Sequence, residues 1–241
     1  MRKIGIIPAR FGSTRFPGKP LVEILGKPMI QHVCDRVGES NLDSFYVATD
    51  DQRIVDVTTS FGANTILTSE SHPSGTDRCG EAAQSIGLQD DDIIVNIQGD
   101  EPFIQSEQIN NLLTLFDKPN VQIATLVKPI DDLSELQNPN KVKVVFSEDH
   151  KALYFSRSPI PFLRETTPNA DSVYFKHIGI YGYRYSTLKK LIQLPVSRLE
   201  QIEKLEQLRW LENHFAIYVA ITHHESIAID TPEDLNQLNL L

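Results

Sequence analysis

The chain has 241 residues, 40% apolar and 23% charged, the proportions of a soluble globular protein with enough chain for one large domain or two small ones. Its formal charge of −9 argues against general nucleic-acid binding, and no apolar run approaches the ~18 residues of a membrane span. Two cysteines, Cys34 and Cys79, are too few for a disulfide framework or a zinc site, and the first residues lack the pattern of a signal peptide, so a cytoplasmic setting is expected.

Residues 4–7 (IGII) are a short apolar run suited to a buried parallel strand, which Pro8 is expected to stop because it has no N–H to donate. The loop that follows holds two glycines and the cations Arg10, Arg15 and Lys19. Up to Lys27 six basic residues face one acid, Glu23, so a local charge of +5 sits at the end of a first strand in an acidic protein. That combination suits a polyanion, although an ordinary solvated basic loop would look the same in composition. The loop is not a P-loop: five residues separate Gly12 from Gly18 where four are needed, and Pro20 follows Lys19. The dinucleotide fingerprint Gly-x-Gly-x-x-Gly is also absent.

A helix is expected to start at Lys27-Pro28, with Pro28 at a permitted early position and Ile30, Val33, Cys34 and Val37 as its apolar stripe. Residues 44–49 read as a strand, and Asp50-Asp51 caps a helix carrying Ile54, Val55, Thr58 and Phe61. Residues 65–67 form a short strand, 76–86 a helix ended by Gly87, and 93–97 (IIVNI) a fourth, almost wholly apolar strand. This alternation predicts a parallel sheet with helices on both faces. Further on, residues 141–157 read as a hairpin turning at 147–150, 175–183 as a strand, 199–213 as one helix, 217–221 as a strand and 231–238 as a closing helix.

In an open parallel sheet, ligands bind beyond the carboxyl ends of the strands. There the basic loop, residues 74–78 (SGTDR) and residues 96–102 (NIQGDEP) are expected to converge. Asp100 follows a glycine at a strand end and suits Mg²⁺, which takes one or two carboxylates plus phosphate oxygens and water. Read alone, Asp100 would equally serve as a turn residue, and Asp230, before Thr-Pro-Glu-Asp, as a helix start.

In order along the chain stand residues 6–21 (IIPARFGSTRFPGKPL), 26–33 (GKPMIQHV), 47–51 (VATDD), 74–78 (SGTDR), 96–102 (NIQGDEP), 152–157 (ALYFSR), 177–184 (HIGIYGYR), 205–209 (LEQLR) and 230–235 (DTPEDL). With these the chain resembles the 3-deoxy-manno-octulosonate (Kdo) cytidylyltransferases, the CMP-Kdo synthetases, over essentially its whole length. The usual SGTER of that family is SGTDR here. The resemblance implies a three-layer α/β fold: a mostly parallel, Rossmann-like sheet of the nucleotide-diphospho-sugar transferase type. It also implies a smaller α+β lobe for sugar binding and dimerisation. Within a single cytidylyltransferase domain, residues 1–130 and 215–241 would form the nucleotide-binding core and 131–214 the lobe.

The implied substrates are CTP and Kdo, the implied cofactor is Mg²⁺ and the implied assembly is a homodimer acting in lipopolysaccharide biosynthesis, without nucleic-acid or membrane partners. Arg10, Lys19, Asp100 and Asp230 would be catalytic, with Mg²⁺ on Asp100 and Asp230. Pro8, Ala9, Arg10, Ser13, Arg15, Lys19, Ser74, Gly75, Arg78, Gln98 and Asp100 would bind the nucleotide. Gln98, Arg157, His177, Tyr181, Glu206 and Gln207 would bind the sugar. Several of these residues also have plain structural readings: Arg157 as a surface ion-pair partner, His177 as a packed histidine, Glu206 and Gln207 as the polar face of a helix. Three alternatives stand beside the main reading. The same chemistry on 8-amino-Kdo or a capsular Kdo pool would be decided within residues 162–175. A non-catalytic sugar-nucleotide sensor would have no need of the acid pair. A glycosyltransferase would usually carry Asp-x-Asp, where this chain has Asp100-Glu101-Pro102.

Overall fold

Apolar runs too short and too uniformly buried to be helices set the frame. In the computed structural model, which describes residues 1–12, 16–164, 174–225 and 227–238, the first of them is strand β1 (Lys3–Ala9). A small hairpin, β2 (Glu23–Ile24) with β3 (Lys27–Pro28), leads into helix α1 (Met29–Gly38), whose predicted stripe Ile30, Val33, Cys34 and Val37 is buried. Then come β4 (Ser44–Thr49), α2 (Gln52–Ser60), β5 (Thr65–Leu67), α3 (Gly75–Ile86), β6 (Ile93–Asn96), α4 (Ser106–Thr114), β7 (Ile123–Pro129), β8 (Lys143–Phe146), β9 (Ala152–Ser156), β10 (Phe175–Arg184), α5 (Tyr185–Leu191), α6 (Arg198–Glu203), α7 (Gln207–Glu212), β11 (Ile217–Ile221) and α8 (Pro232–Leu238). The helix starts follow capping chemistry: Asp51 accepts the Arg53 N–H at 2.9 Å ahead of α2, and Ser74 accepts the Asp77 N–H at 3.2 Å ahead of α3.

The chain divides into two compact units. The first comprises Met1–Asn110, Arg184–Ile192 and Glu225–Leu241; the second comprises Asn111–Tyr183 and Gln193–His224. In the first unit β1 runs parallel to both β4 and β6, and β4 runs parallel to β5, so the ends of four strands are presented together. Helices α1, α2 and α3 pack on this sheet. In the second unit β7 lies parallel to β11 and antiparallel to β10, and β8 and β9 form the predicted hairpin. Residues 123–129 and 217–221, placed with the nucleotide core from the sequence, thus group with the second unit, because β7 pairs with β11 and β10.

Two local expectations need correction. Strand β1 does not stop at Pro8: Pro8 and Ala9 stay paired with Ala48 and Thr49 of β4. The carbonyl of Ile6 accepts the N–H of Ile97 at 3.0 Å, so Ile6 and, two residues on, Pro8 face β6, where the ladder ends at Ile6–Asn96. The missing N–H falls where no partner strand remains. The single helix expected over 199–213 is two short ones, α6 and α7. Lys204 takes the left-handed conformation (φ 55°) between them. Arg157 fills the break, donating to the carbonyls of Glu203 at 2.7 Å and Lys204 at 3.3 Å.

Candidate active site

The basic loop is closed at its base. The N–H of Gly18 donates to the carbonyl of Phe11 at 3.0 Å, and Gly18 has φ 72°, which glycine adopts without strain. A side chain at Gly18 would meet the Phe11 ring at 3.1 Å, so the ring lies directly on the glycine. Arg53 of α2 stacks its guanidinium over the same ring, 3.4 Å from its centre. Beyond Gly18 a single 3₁₀ turn, Lys19–Leu21, buries Pro20 and releases the Lys19 side chain. Its Nζ donates to Oδ2 of Asp100 at 2.6 Å and to Oδ1 of Asp230 at 3.5 Å.

Asp100 is positioned by a tight turn after β6. A Cβ on Gly99 would stand 2.7 Å from the carbonyl oxygen of Pro8, so only glycine lets this turn fold over the end of β1. Asp230 arrives from the far end of the sequence. The N–H of Ile229 donates to the carbonyl of Asp100 at 2.9 Å, and the Ile229 side chain is buried with Ile24 and Met29 against Phe16, Phe103 and Leu235. The helix-start reading of Asp230 belongs instead to Asp234. Its carboxylate takes the N–H groups of Asp230 and Thr231 at 2.9 and 2.8 Å. Burial pushes the Asp234 carboxyl up, but these hydrogen bonds and the nearby Lys19 charge outweigh it and hold the group below its ordinary range.

The cleft around these groups is lined by Pro8, Ala9 and Arg10 from the end of β1, by Lys19, by Ser74, Gly75 and Arg78 from the start of α3, by Gln98 and Asp100, and by Asp230. Each of these is a residue that the sequence singles out. Ser13 and Arg15 lie outside the described residues, as does most of the stretch 162–175 assigned to the choice of sugar. Gly75 sits so that a Cβ would meet the Pro8 ring at 3.2 Å, which brings the positive N-terminal end of the 12-residue helix α3 against the end of β1. Arg78 is buried, with its guanidinium given to Thr68 Oγ1 at 2.6 Å and Asp50 at 2.7 Å; it ties α3 to the ends of β4 and β5. The sequence reading missed His72 and Pro73 in the same wall, which also holds Pro20 and Gly99 from segments expected to converge there. His72 is bonded to Glu81, whose carboxyl is held low first by the Ser69 N–H and then by His72. The spacing of a lone His nine residues before a Glu, across a helix start, carried no signal of its own.

The second unit holds its own set. Strand β10 bulges against β7 between Ile178 and Tyr181, and the Thr125 hydroxyl fills the bulge. It donates to the Ile180 carbonyl at 2.7 Å, which leaves its lone pair for the His177 Nε2–H at 2.9 Å. His177 packs between the rings of Phe155 and Tyr181, each 5.2 Å away, and burial there lowers its pKa to about 3, so it is neutral at pH 7. Tyr181 lies against Trp210, and burial first, then the Glu206 charge, pushes its phenol well up. Glu206 immediately precedes α7, and Gln207, buried, is its first residue. Arg157 donates to three carbonyls, those of Glu203, Lys204 and, at 2.8 Å, Pro139, while its N–H donates to the Glu203 carboxylate at 2.9 Å. Glu203 in turn accepts from Ser156 at 2.6 Å.

Comparison with known proteins agrees with this geometry. A family model described as cytidylyltransferase matches residues 4–226. A 3-deoxy-manno-octulosonate cytidylyltransferase of Parabacteroides distasonis is 55% identical over 98% of this chain and 96% of its own. An 8-amino-3,8-dideoxy-manno-octulosonate cytidylyltransferase of Shewanella frigidimarina is 49% identical, with the same coverage of both chains. A solved structure of CMP:2-keto-3-deoxy-manno-octonic acid synthetase, complexed with CTP, is similar with a TM-score of 0.92 at 42% identity, covering 100% of this chain and 98% of that one. With the family match running through β1, the Gly99-Asp100 turn and both units, the chain belongs to the 3-deoxy-manno-octulosonate cytidylyltransferase family.

Proposed function

We propose that the chain transfers CMP from CTP to the anomeric hydroxyl of Kdo, giving CMP-Kdo and pyrophosphate, and so activates Kdo for lipopolysaccharide assembly. The observation that carries this reading is the meeting of Arg10 and Lys19 with the carboxylates of Asp100 and Asp230 in one cleft at the strand ends. The anomeric oxygen bonds to the α-phosphorus while the bond from that phosphorus to the bridging oxygen breaks; the electron pair leaves on pyrophosphate and the hydroxyl proton passes to water. Such a transfer is mostly positioning and charge neutralisation, so no side-chain base is nominated. Arg10 and Lys19 hold the triphosphate and offset charge on the leaving group, and the start of α3 at Ser74 and Gly75 offers backbone N–H groups.

Asp100 and Asp230 suit Mg²⁺: two carboxylates already share one cation, and phosphate oxygens and water would complete the shell. Among the described residues no group of three or more His, Cys, Asp or Glu competes for that role. When bound there, Mg²⁺ supplies charge neutralisation on the nucleotide and acidifies the attacking hydroxyl. For the acid sugar, Arg157 gives three of its five guanidinium N–H groups to carbonyls among the described residues, and the other two suit a carboxylate. Neutral His177, Tyr181, Glu206 and Gln207 offer mixed donors and acceptors for hydroxyls.

The Shewanella relative supports a second reading, in which 8-amino-Kdo is the acceptor. Pyrophosphate release from CTP and Mg²⁺ with each sugar separates the two: release with Kdo is expected, a marked preference for 8-amino-Kdo favours the second reading, and release with neither overturns both. We also propose a cytoplasmic homodimer formed through the second unit, where Leu153, Phe162 and Ile202 are exposed. No helix among the described residues is long and apolar enough to cross a membrane. Sedimentation at micromolar concentration is expected to give a dimer; a monomer overturns that assembly.

A further inference from the structure

We propose that Lys19 occupies the place of the divalent cation in the nucleotide-free protein, and that its transfer to the triphosphate couples nucleotide binding to cation binding. The inference rests on the reading of Asp100 and Asp230 as cation ligands. One ammonium stands 2.6 Å from Asp100 and 3.5 Å from Asp230. A divalent ion taking both carboxylates would meet that ammonium at ion-pair range, where like charges repel most strongly. The two cations therefore compete for one pair of anions.

The backbone around Lys19 is fixed while its side chain is long. Pro20 is buried, the Lys19 N–H donates to the Phe16 carbonyl at 3.2 Å, and Gly18 is bonded to Phe11. The flexible four-carbon stem can redirect the charge without moving that backbone. A triphosphate in the cleft, alongside Arg10 and the start of α3, gives the ammonium a more highly charged partner than either carboxylate. As Nζ moves to phosphate, the carboxylates become available to the cation. By linkage the effect is reciprocal: cation binding releases Lys19 for phosphate, and nucleotide binding tightens the cation. Lys19 then has two jobs at successive stages, guarding an acid pair that would otherwise repel itself and later neutralising the leaving group.

The test is Mn²⁺ binding followed by electron paramagnetic resonance on intact protein, with and without a CTP analogue whose α,β-bridge is a methylene group. Without nucleotide, Lys19→Met is expected to bind Mn²⁺ about tenfold tighter than the unsubstituted protein, the scale of removing one close charge repulsion. Lys19→Arg, which keeps the charge, is expected to remain weak. The analogue is expected to tighten Mn²⁺ binding more in the unsubstituted protein than in Lys19→Met. If Lys19→Met fails to fold, the unsubstituted protein still decides: adding Mn²⁺ alone is expected to raise the rate of Lys19 acetylation by an amine reagent, read by peptide mass. Unchanged Mn²⁺ affinity in Lys19→Met, or unchanged Lys19 labelling, overturns the coupling while leaving the acid pair as ligands. Absence of Mn²⁺ binding to the unsubstituted protein even with the analogue, or Mn²⁺ binding that survives Asp100→Asn, overturns the ligand assignment and the coupling together.

Discussion

Gly99→Ala probes the closest backbone approach in the cleft. The added methyl would stand 2.7 Å from the Pro8 carbonyl oxygen, with Ile7 and Ala9 side-chain carbons 3.6 and 3.7 Å away. A carbon–oxygen contact is comfortable at about 3.3 Å, so the turn or strand must give by about 0.6 Å. Neither partner is a flexible side chain. Pro8 is paired in β1, and Gly99 is followed at once by Asp100. Inserting a methyl into such a contact costs about 1–3 kcal/mol of stability. The larger effect is expected on turnover, because a displacement approaching 1 Å at a positioning group can cost about a hundredfold. Urea unfolding would read the first quantity and pyrophosphate release the second. Gly75→Ala is the internal comparison, since its methyl would press on the Pro8 ring at 3.2 Å, a milder contact. Were Gly99→Ala to keep both normal stability and normal turnover, the claim that this contact sets the position of Asp100 would be wrong.

Three further outcomes are expected. Asp100→Asn should lower turnover by at least about a hundredfold while its thermal melting point stays near that of the unsubstituted protein; near-normal activity would remove Asp100 from its role. Arg157→Ala should lose about 2 kcal/mol of stability in urea, because its hydrogen bonds to the Glu203, Lys204 and Pro139 carbonyls span the break between α6 and α7. An unchanged urea midpoint would refute that structural share, whatever happens to sugar use. His177 gives a pH dependence: its folded pKa of about 3 lies below the unfolded value near 6.5, so the unfolded chain takes up a proton first as pH falls. Its contribution is complete above pH 6.5 and is lost toward pH 3, at no more than about 1.4 kcal/mol per pH unit. Urea midpoints at about pH 7.5 and about pH 5.5, on either side of the unfolded value, should differ, and His177→Gln should narrow the difference; an equal difference would refute it.

The cleft was legible because its parts sit at strand ends. β6, whose four residues are all buried, leaves little choice but a central parallel strand, and whatever follows such strands in an open sheet faces a ligand. Hence Asp100, the start of α3 and the basic loop could be brought together from pattern alone. Asp230 could not. All of the second unit's chain lies between it and Asp100 in the sequence, and the Ile229–Asp100 backbone bond that joins the two segments has no local signature. The break after Glu203 was hidden for another reason. Ile202, Leu205 and Leu208 keep a helical spacing across it, and the partner that makes the break favourable, Arg157, lies far away in sequence. Strand β7 went unpredicted because a short apolar run reads equally as strand or buried helix, and its pairing with β10 and β11 decides the matter.

The bond from Ile229 to Asp100 also has a temporal meaning. During synthesis the parallel strands β1, β4, β5 and β6 can pair as soon as residues 1–96 have emerged, and α3 comes with them. The acid pair cannot. It waits for Ile229, made after the whole second unit, to reach the pocket of Ile24 and Met29. A nascent chain would thus hold the parallel strands of the first unit well before Ile229 brought Asp230 to Asp100.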